Sequence, residues 1–423
     1  MQREEIEDIK SKLLRETLHR CYTNSPFYVK KFREYNIKPD DIKGIAQLQK
    51  IKFFTTKDDL RNEYPYGMLA VNRNEVVEMH ASSGTTGTPV LGFHTERDIQ
   101  DWGEISARCL VMSGLTKDDV FQITPSLGMF SGGFGFYHGA RKVGCTIVPA
   151  SSGFSRRQIQ FMLDLGTTMI SAIVSYAFRL AEVAQEIGVD IKRQTKVRKG
   201  IFGSEIWTTE MKKKLSEIWD MEPYDVYGFS EMYGPGMGND CFVHDGLHIW
   251  EDFFLVEVVD PQTGEVLGPE EKGELVITTL RKEAMPLIRY RSRDISMLLD
   301  SDKCECGRTH RRYSEIIGRT DDMVKVSGVN FWPSMVESTL LKNSEVSQEY
   351  RIILSRVDYK DVARIEIESC RKLDELEKKR LSIALREDLT NVLLFQPEVV
   401  VLDPGSLPRV EVGKAQRLID QRK

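Results

Sequence analysis

Residues 82–87 read Ser-Ser-Gly-Thr-Thr-Gly, a stretch with little to give a packed core and much to offer an anion. Gly84 and Gly87 permit positive φ and close backbone approach. The segment can therefore turn its N–H groups, and the hydroxyls of Ser82, Ser83, Thr85 and Thr86, toward a polyphosphate. It is not a P-loop, which needs a lysine directly after its second glycine. A second group is Cys304-Glu-Cys306-Gly307, a short knuckle whose glycine lets backbone N–H groups face sulfur. With Cys241 and His248 upstream it makes a Cys₃His set, an accepted structural zinc site that leaves no open position for catalysis. His244 and His310 are alternatives to His248. Cys21, Cys109, Cys145 and Cys370 read as small buried hydrophobes.

These residues need a scaffold, and the 423-residue chain has the material for one, being 41% hydrophobic and 29% charged. That composition predicts an ordered protein of two or three domains. A net charge of −5 speaks against a nucleic-acid partner. No stretch approaches the roughly 18 apolar residues of a membrane span, and the charged N-terminus has no signal-peptide core, so the cytoplasm is the expected compartment. Seven cysteines in so long a chain make no disulfide framework. Helical periodicity covers 3–20 and recurs near 98–113, 155–165, 176–187 and 208–219, with β-rich runs at 145–150 and 172–175 between them. This alternation favours parallel sheets covered by helices. Residues 253–280 read as an antiparallel hairpin or part of a small barrel. The last hundred or so residues alternate strand, strand, helix, strand, a separate small α+β unit whose border falls near Gly318–Asp321.

Four further segments follow the glycine stretch in a fixed order: YGFSE at 227–231, YRSRD at 290–294, GRTDDMVKVSGVNFWP at 318–333 and LPRVEVGKAQR at 407–417. Together with SSGTTGTP they resemble the ordered core motifs of the ANL acyl-adenylating enzymes, over most of the chain. GSEIWTTEM at 203–211, DGLHIWED at 245–252 and CECGRTHRR at 304–312 resemble the phenylacetate-CoA ligase family within that superfamily. The resemblance implies a large α/β N-terminal domain, residues 1–318, with mixed and parallel sheets, helices and a small β-barrel-like part. A mobile α+β C-terminal domain, residues 319–423, follows it.

The implied reaction joins an aryl acid, phenylacetate first, to coenzyme A through an acyl-AMP intermediate, using ATP and Mg²⁺. The alternative acceptor is the pantetheine thiol of a carrier protein. By the same resemblance Lys414 is the cation that stabilises the meeting of carboxylate and α-phosphate. Glu231 is a magnesium ligand, and Asp294 accepts hydrogen bonds from the ribose. Gly203, Ser204, Glu205, Tyr227, Gly228, Phe229 and Ser230 line the adenine and α-phosphate region, and Arg319 contacts the nucleotide. Asp321 is the hinge about which the small domain turns between the two half-reactions. The superfamily pattern YRTGD has glycine where this chain has Arg293. The segment SLGMFSGGFGFYHGA, residues 126–140, reads either as an aromatic-lined slot for the acid, with Phe130, Phe134, Phe136 and Tyr137 and His138 as a polar contact, or as a helix start packed into the core. A homodimer is a further implication of the resemblance.

Overall fold

The computed structural model describes residues 2–82, 89–300, 303–326, 329–357, 360–409 and 416–422. Its centre is an eight-stranded sheet. The strands Thr146–Val148, Val120–Ile123, Met169–Ile173, Lys199–Gly203 and Glu222–Phe229 lie side by side in that order and parallel. Gly234–Asn239, Leu247–Ile249 and Arg312–Tyr313 then continue the sheet antiparallel. Met169–Ile173 is buried along nearly its whole length, as a strand covered on both faces must be.

Helices Glu96–Met112, Ser131–Val143, Ser155–Leu165, Val174–Glu186 and Thr209–Trp219 agree with the predicted periodicities where these were read. The β-rich run at 172–175 is split. Ile173 ends a strand and Val174 already begins a helix, since a short apolar run has no period of its own to separate the two states. Helix Glu96–Met112 starts at a capping box: Thr95 Oγ1 accepts from Asp98 N at 3.1 Å, and Asp98 accepts from Thr95 N at 3.0 Å. The buried Asp98 carboxylate also accepts from Glu283 N and Ala284 N, which ties the 280–288 segment to this helix.

The 253–280 hairpin is antiparallel, Phe254 facing Thr279, and belongs to a four-stranded sheet completed by Tyr290–Ser296 and Gly318–Arg319. Beyond it, strands Glu398–Leu402, Lys360–Ser369, Val346–Val357 and Leu418–Asp420 form a second four-stranded sheet, packed by helix Glu375–Leu393. An apolar cluster that runs from Val324 to Val401 holds this tail unit together, distinct from the clusters of the preceding residues. Among the described residues no helix is long and apolar enough to cross a membrane.

Candidate functional site

The glycine stretch hangs from a two-stranded hairpin, Glu78–Ala81 against Leu91–His94. Ser82 closes its base: Ser82 N donates to the Val90 carbonyl at 2.8 Å, and Val90 N donates to Ser82 Oγ at 2.9 Å. Ser83, Gly84, Thr85, Thr86 and Gly87 lie outside the described residues. Gly92 rests on the backbone of Ser230, and any Cβ there would collide with the Ser230 carbonyl oxygen. The hairpin is thereby pressed against the YGFSE segment.

That segment ends the Glu222–Phe229 strand and passes into a short 3₁₀ turn, Ser230–Met232. Gly228 is needed where it stands, because a Cβ would strike the Gly234 carbonyl of the neighbouring strand. Tyr227 reaches across to the adjoining sheet and donates its phenol to Asp294 Oδ2. Arg319 Nη1 donates to the other oxygen, Oδ1, at 2.7 Å, from a strand in which Arg319 pairs directly with Asp294. Burial and the Asp294 charge push the Tyr227 phenol well above its ordinary value, so it remains a donor. Burial opposes the charge on Arg319, but Asp294 and Asp321 outweigh it and raise the guanidinium. Asp294 is 6% exposed. A ribose hydroxyl entering here would replace donors already in place, at little desolvation cost.

Glu231 is 3% exposed. It accepts from the Tyr290 hydroxyl at 3.3 Å and faces Lys57 Nζ at 4.0 Å. Neither neighbour was singled out from the sequence. Tyr290 opens the YRSRD segment but had no role assigned, and Lys57 follows an ordinary Thr56 cap in a region without any motif. Gly203 ends a strand, and Ser204 turns the chain at φ 71°. Glu205 then accepts from Ser175 N at 2.8 Å and from Ser175 Oγ at 3.0 Å. Phe229 is edge-on to Tyr227, and the Ser230 hydroxyl meets that of Ser131 at 2.9 Å.

Asp321 holds Arg319 Nε at 2.9 Å and Nη2 at 3.2 Å, directly after the strand that carries Arg319. Lys414 lies outside the described residues. Of the aromatic segment, Ser131–Val143 is a helix, and its side chains part company. Phe134 packs against His80 at 5.3 Å and His138 at 6.2 Å. Phe136 is buried in the core against Phe121, and Tyr137 carries the Arg141 guanidinium over its ring. Phe130 stands exposed at the helix N-cap. His138 and His80 share Glu78 at 3.3 Å and 2.7 Å. Burial would raise Glu78, but these imidazoles outweigh it and bring the carboxyl down to about 2.

The structure brings Cys241, His248, Cys304 and Cys306 together, with one ligand atom from each lying within 4.8 Å of all the others. Cys241 Sγ is 3.8 Å from Cys304 Sγ, and Cys306 Sγ is 3.4 Å from His248 Nε2. Gly307, at φ 85°, supplies the left-handed residue that closes the knuckle, with Gly307 N donating to the Cys304 carbonyl at 2.9 Å. Burial brings His248 down to about 4, so it is neutral, the form in which imidazole binds a metal. The alternatives are engaged elsewhere. His244 sits between Asp240 at 2.6 Å and Glu222 at 2.5 Å, and His310 Nδ1 accepts from Glu251 N at 3.4 Å.

A family model described as AMP-binding enzyme matches residues 38–280, and one described as AMP-binding enzyme C-terminal domain matches residues 328–422. The phenylacetate-coenzyme A ligase of Aromatoleum evansii is 38% identical over 424 residues, covering 99% of this chain and 95% of that protein. That of Pseudomonas putida is 39% identical over 413 residues, covering 97% and 92%. Among solved structures, a 2-hydroxyisobutyryl-CoA ligase in the postadenylation state with R3-HIB-AMP superposes with a TM-score of 0.94 at 24% identity, covering 100% of this chain and 91% of that one. The same ligase in its thioesterification state, with 2-HIB-AMP and CoA, gives 0.74 at the same identity and coverage. The fold is that of the adenylate-forming ligases. This chain belongs to the AMP-binding enzyme family, in the phenylacetate-coenzyme A ligase branch of the adenylate-forming superfamily.

Proposed function

We propose that this chain activates phenylacetate with ATP, forming phenylacetyl-AMP and pyrophosphate, and then passes the acyl group to coenzyme A with release of AMP. The observation that carries this reading is the meeting of three separate motifs around one carboxylate: Asp294 of YRSRD is held by Tyr227 of YGFSE and by Arg319 of GRTDD. Identity of 37–39% to phenylacetate-coenzyme A ligases along nearly the whole chain supports the choice of acid.

In the first half-reaction a carboxylate oxygen attacks the α-phosphorus and pyrophosphate leaves. Two anions must approach, so a cation at the point of contact lowers the barrier, and Lys414 is that cation in this reading. Asp294 would orient the ribose, and Tyr227 with the 203–205 turn would flank the base. Glu231 fits a divalent ion, since among the described residues its buried carboxylate has a phenol within hydrogen-bond reach and a lysine at 4.0 Å. Mg²⁺ held there would neutralise phosphate charge. In the second half-reaction the thiol sulfur attacks the acyl carbonyl and AMP leaves. The tail unit, from residue 319 onward, would turn about Asp321 between the two.

The four cysteine and histidine ligands fit Zn²⁺ in donor chemistry and in mutual distance, and would use it to staple the 303–311 loop to the sheet. The further expectations are a cytoplasmic homodimer, which sizing by light scattering tests for its subunit number. The reading as a whole is tested by Lys414→Ala. Acid-dependent pyrophosphate exchange should fall by about 10³ or more, while transfer from preformed phenylacetyl-AMP to CoA survives. Equal damage to both halves would refute it.

A further inference from the structure

Glu231 faces a lysine that none of the motifs contains. Lys57 Nζ stands 4.0 Å from Glu231 Oε1, with 34% of its side chain exposed. The approach is built into the backbone. Thr55 bridges to Tyr290 in parallel register: Thr55 N donates to the Arg289 carbonyl at 3.1 Å, and its carbonyl accepts from Arg291 N at 2.9 Å. The Thr55 hydroxyl donates to the Ile288 carbonyl at 2.7 Å. Thr56 then caps helix Lys57–Asn62 through a reciprocal pair with Asp59, at 3.2 Å and 2.8 Å, and so fixes the residue that follows. Lys57 and Tyr290 therefore arrive at one carboxylate together. From there a run of rings leads to Asp294: Tyr290 lies 5.7 Å from Phe229, Phe229 lies 5.7 Å from Tyr227, and Tyr227 donates to Asp294.

We propose that Lys57 binds the β- and γ-phosphates of ATP, and hence the departing pyrophosphate. The proposal rests on the nucleotide reading above, with the ribose at Asp294. At 4.0 Å the ammonium is beyond hydrogen-bond length from Glu231, and among the described residues its N–H donors make no hydrogen bond. They are left for an oxygen-rich ligand. A divalent ion of the kind that Glu231 fits is held by a carboxylate together with substrate phosphate oxygens. With Lys57 beside it, one carboxylate leaves an excess of positive charge that a polyphosphate supplies. As the bond between the α-phosphorus and the bridging oxygen breaks, its electron pair goes to pyrophosphate, and an ammonium placed there stabilises the charge that develops. Lysine suits the task as a compact point charge with three rotatable donors.

Isothermal titration calorimetry with Mg²⁺ present and no acid reads binding without turnover. ATP and AMP are each titrated into the parent, Lys57→Ala, Lys57→Arg and Asp294→Ala. Lys57→Ala should weaken ATP by about tenfold or more and leave AMP within about twofold, since AMP lacks the groups that Lys57 meets. Lys57→Arg keeps the charge and should recover part of the loss. In pyrophosphate exchange, KM for pyrophosphate should rise in Lys57→Ala by a factor similar to that for ATP binding. The melting temperature of the ligand-free variant should stay within about 2 °C of the parent, because the pair with Glu231 is partly exposed. The proposal is overturned if Lys57→Ala leaves ATP binding within about twofold, or weakens ATP and AMP alike, either of which would make Lys57 only a structural partner of Glu231. Lys57→Gln keeps an extended polar side chain without the charge, and decides the matter should Lys57→Ala not fold. A parent that binds neither nucleotide, or an Asp294→Ala variant that binds AMP as the parent does, would show instead that the nucleotide reading fails.

Discussion

At Asp294 both carboxylate oxygens are taken by groups from other strands, Tyr227 and Arg319, which in the proposed function give way to an incoming hydroxyl. At Cys304 the neighbours are Cys241, Cys306 and His248, whose candidate ligand atoms all lie within 4.8 Å of one another. The two groups lie on the same part of the chain and are comparably buried, yet in the proposed function one exchanges its partners and the other keeps them. The contrast shows that burial of polar groups does not by itself mark a reactive site. What separates the two is whether the partners are replaceable donors or permanent ligands.

The largest expected effect follows from removing the exchangeable acceptor. Asp294→Ala leaves Arg319 charged and part-buried without its main partner, and removes the proposed ribose contact. Steady-state kinetics should show kcat/KM for ATP lower by about 10²–10³, with KM raised more than kcat is lowered. A change under about tenfold would mean that Asp294 serves only to join the two sheets.

The closed set should behave in the opposite way. Cys304→Ser removes a ligand and weakens the metal site, so metal analysis should fall from about one zinc per chain to less than about 0.2. The melting temperature should drop by about 5–10 °C while KM for ATP changes less than about twofold. Purified parent protein without zinc, never exposed to chelator, would remove the basis of the comparison.

Much of this was legible in the sequence, for reasons that differ by residue. The Cys/His cluster could be proposed because soft ligands are few and conspicuous, although His244, His248 and His310 could not be ranked. Only the fold separates them, by giving His244 to Asp240 and Glu222. The parallel sheet and the tail unit were readable because long apolar periods repeat. The aromatic segment was not, since the same four rings suit a slot or a core and only helix phase sends Phe136 inward and Phe134 toward His80. Lys57 carried no sequence signal at all. Its partner, Glu231, lies far along the chain, and nothing local distinguishes Lys57 from a solvated lysine after a helix cap.

A smaller effect sharpens the distinction between His244 and His248. The hydrogen bond to Asp240 raises His244 to about 9, against the burial that lowers it. Its folded value lies above its unfolded one, so the stabilisation is complete below about pH 6.5 and is lost as pH rises through about 9. Glu222 is largely exposed and the network is screened, so about 1 kcal/mol is expected. Thermal melts of His244→Gln against the parent should differ at pH 6 and converge near pH 10, with zinc content unchanged. A difference that grew with pH would reverse the assignment.

The smallest effect sits beside the exchangeable site. Arg293 occupies the position where the superfamily pattern has glycine, and its φ is 67°, in the left-handed region. For a residue with a Cβ that conformation costs about 1–2 kcal/mol. The position is nevertheless enforced: Arg293 N donates to Glu274 Oε1 at 2.9 Å, and its carbonyl accepts from Thr320 N at 2.7 Å, one step before Asp321. Glycine would relieve the strain but add about 0.5–1 kcal/mol of unfolded-chain entropy, so the net gain should be about 0.5 kcal/mol. Arg293→Gly should therefore raise the melting temperature by about 1–2 °C and leave KM for ATP unchanged. A lowered melting temperature would show that the Arg293 side chain contributes more to the fold than its backbone strain takes away. A raised KM would place the arginine among the groups that meet the nucleotide.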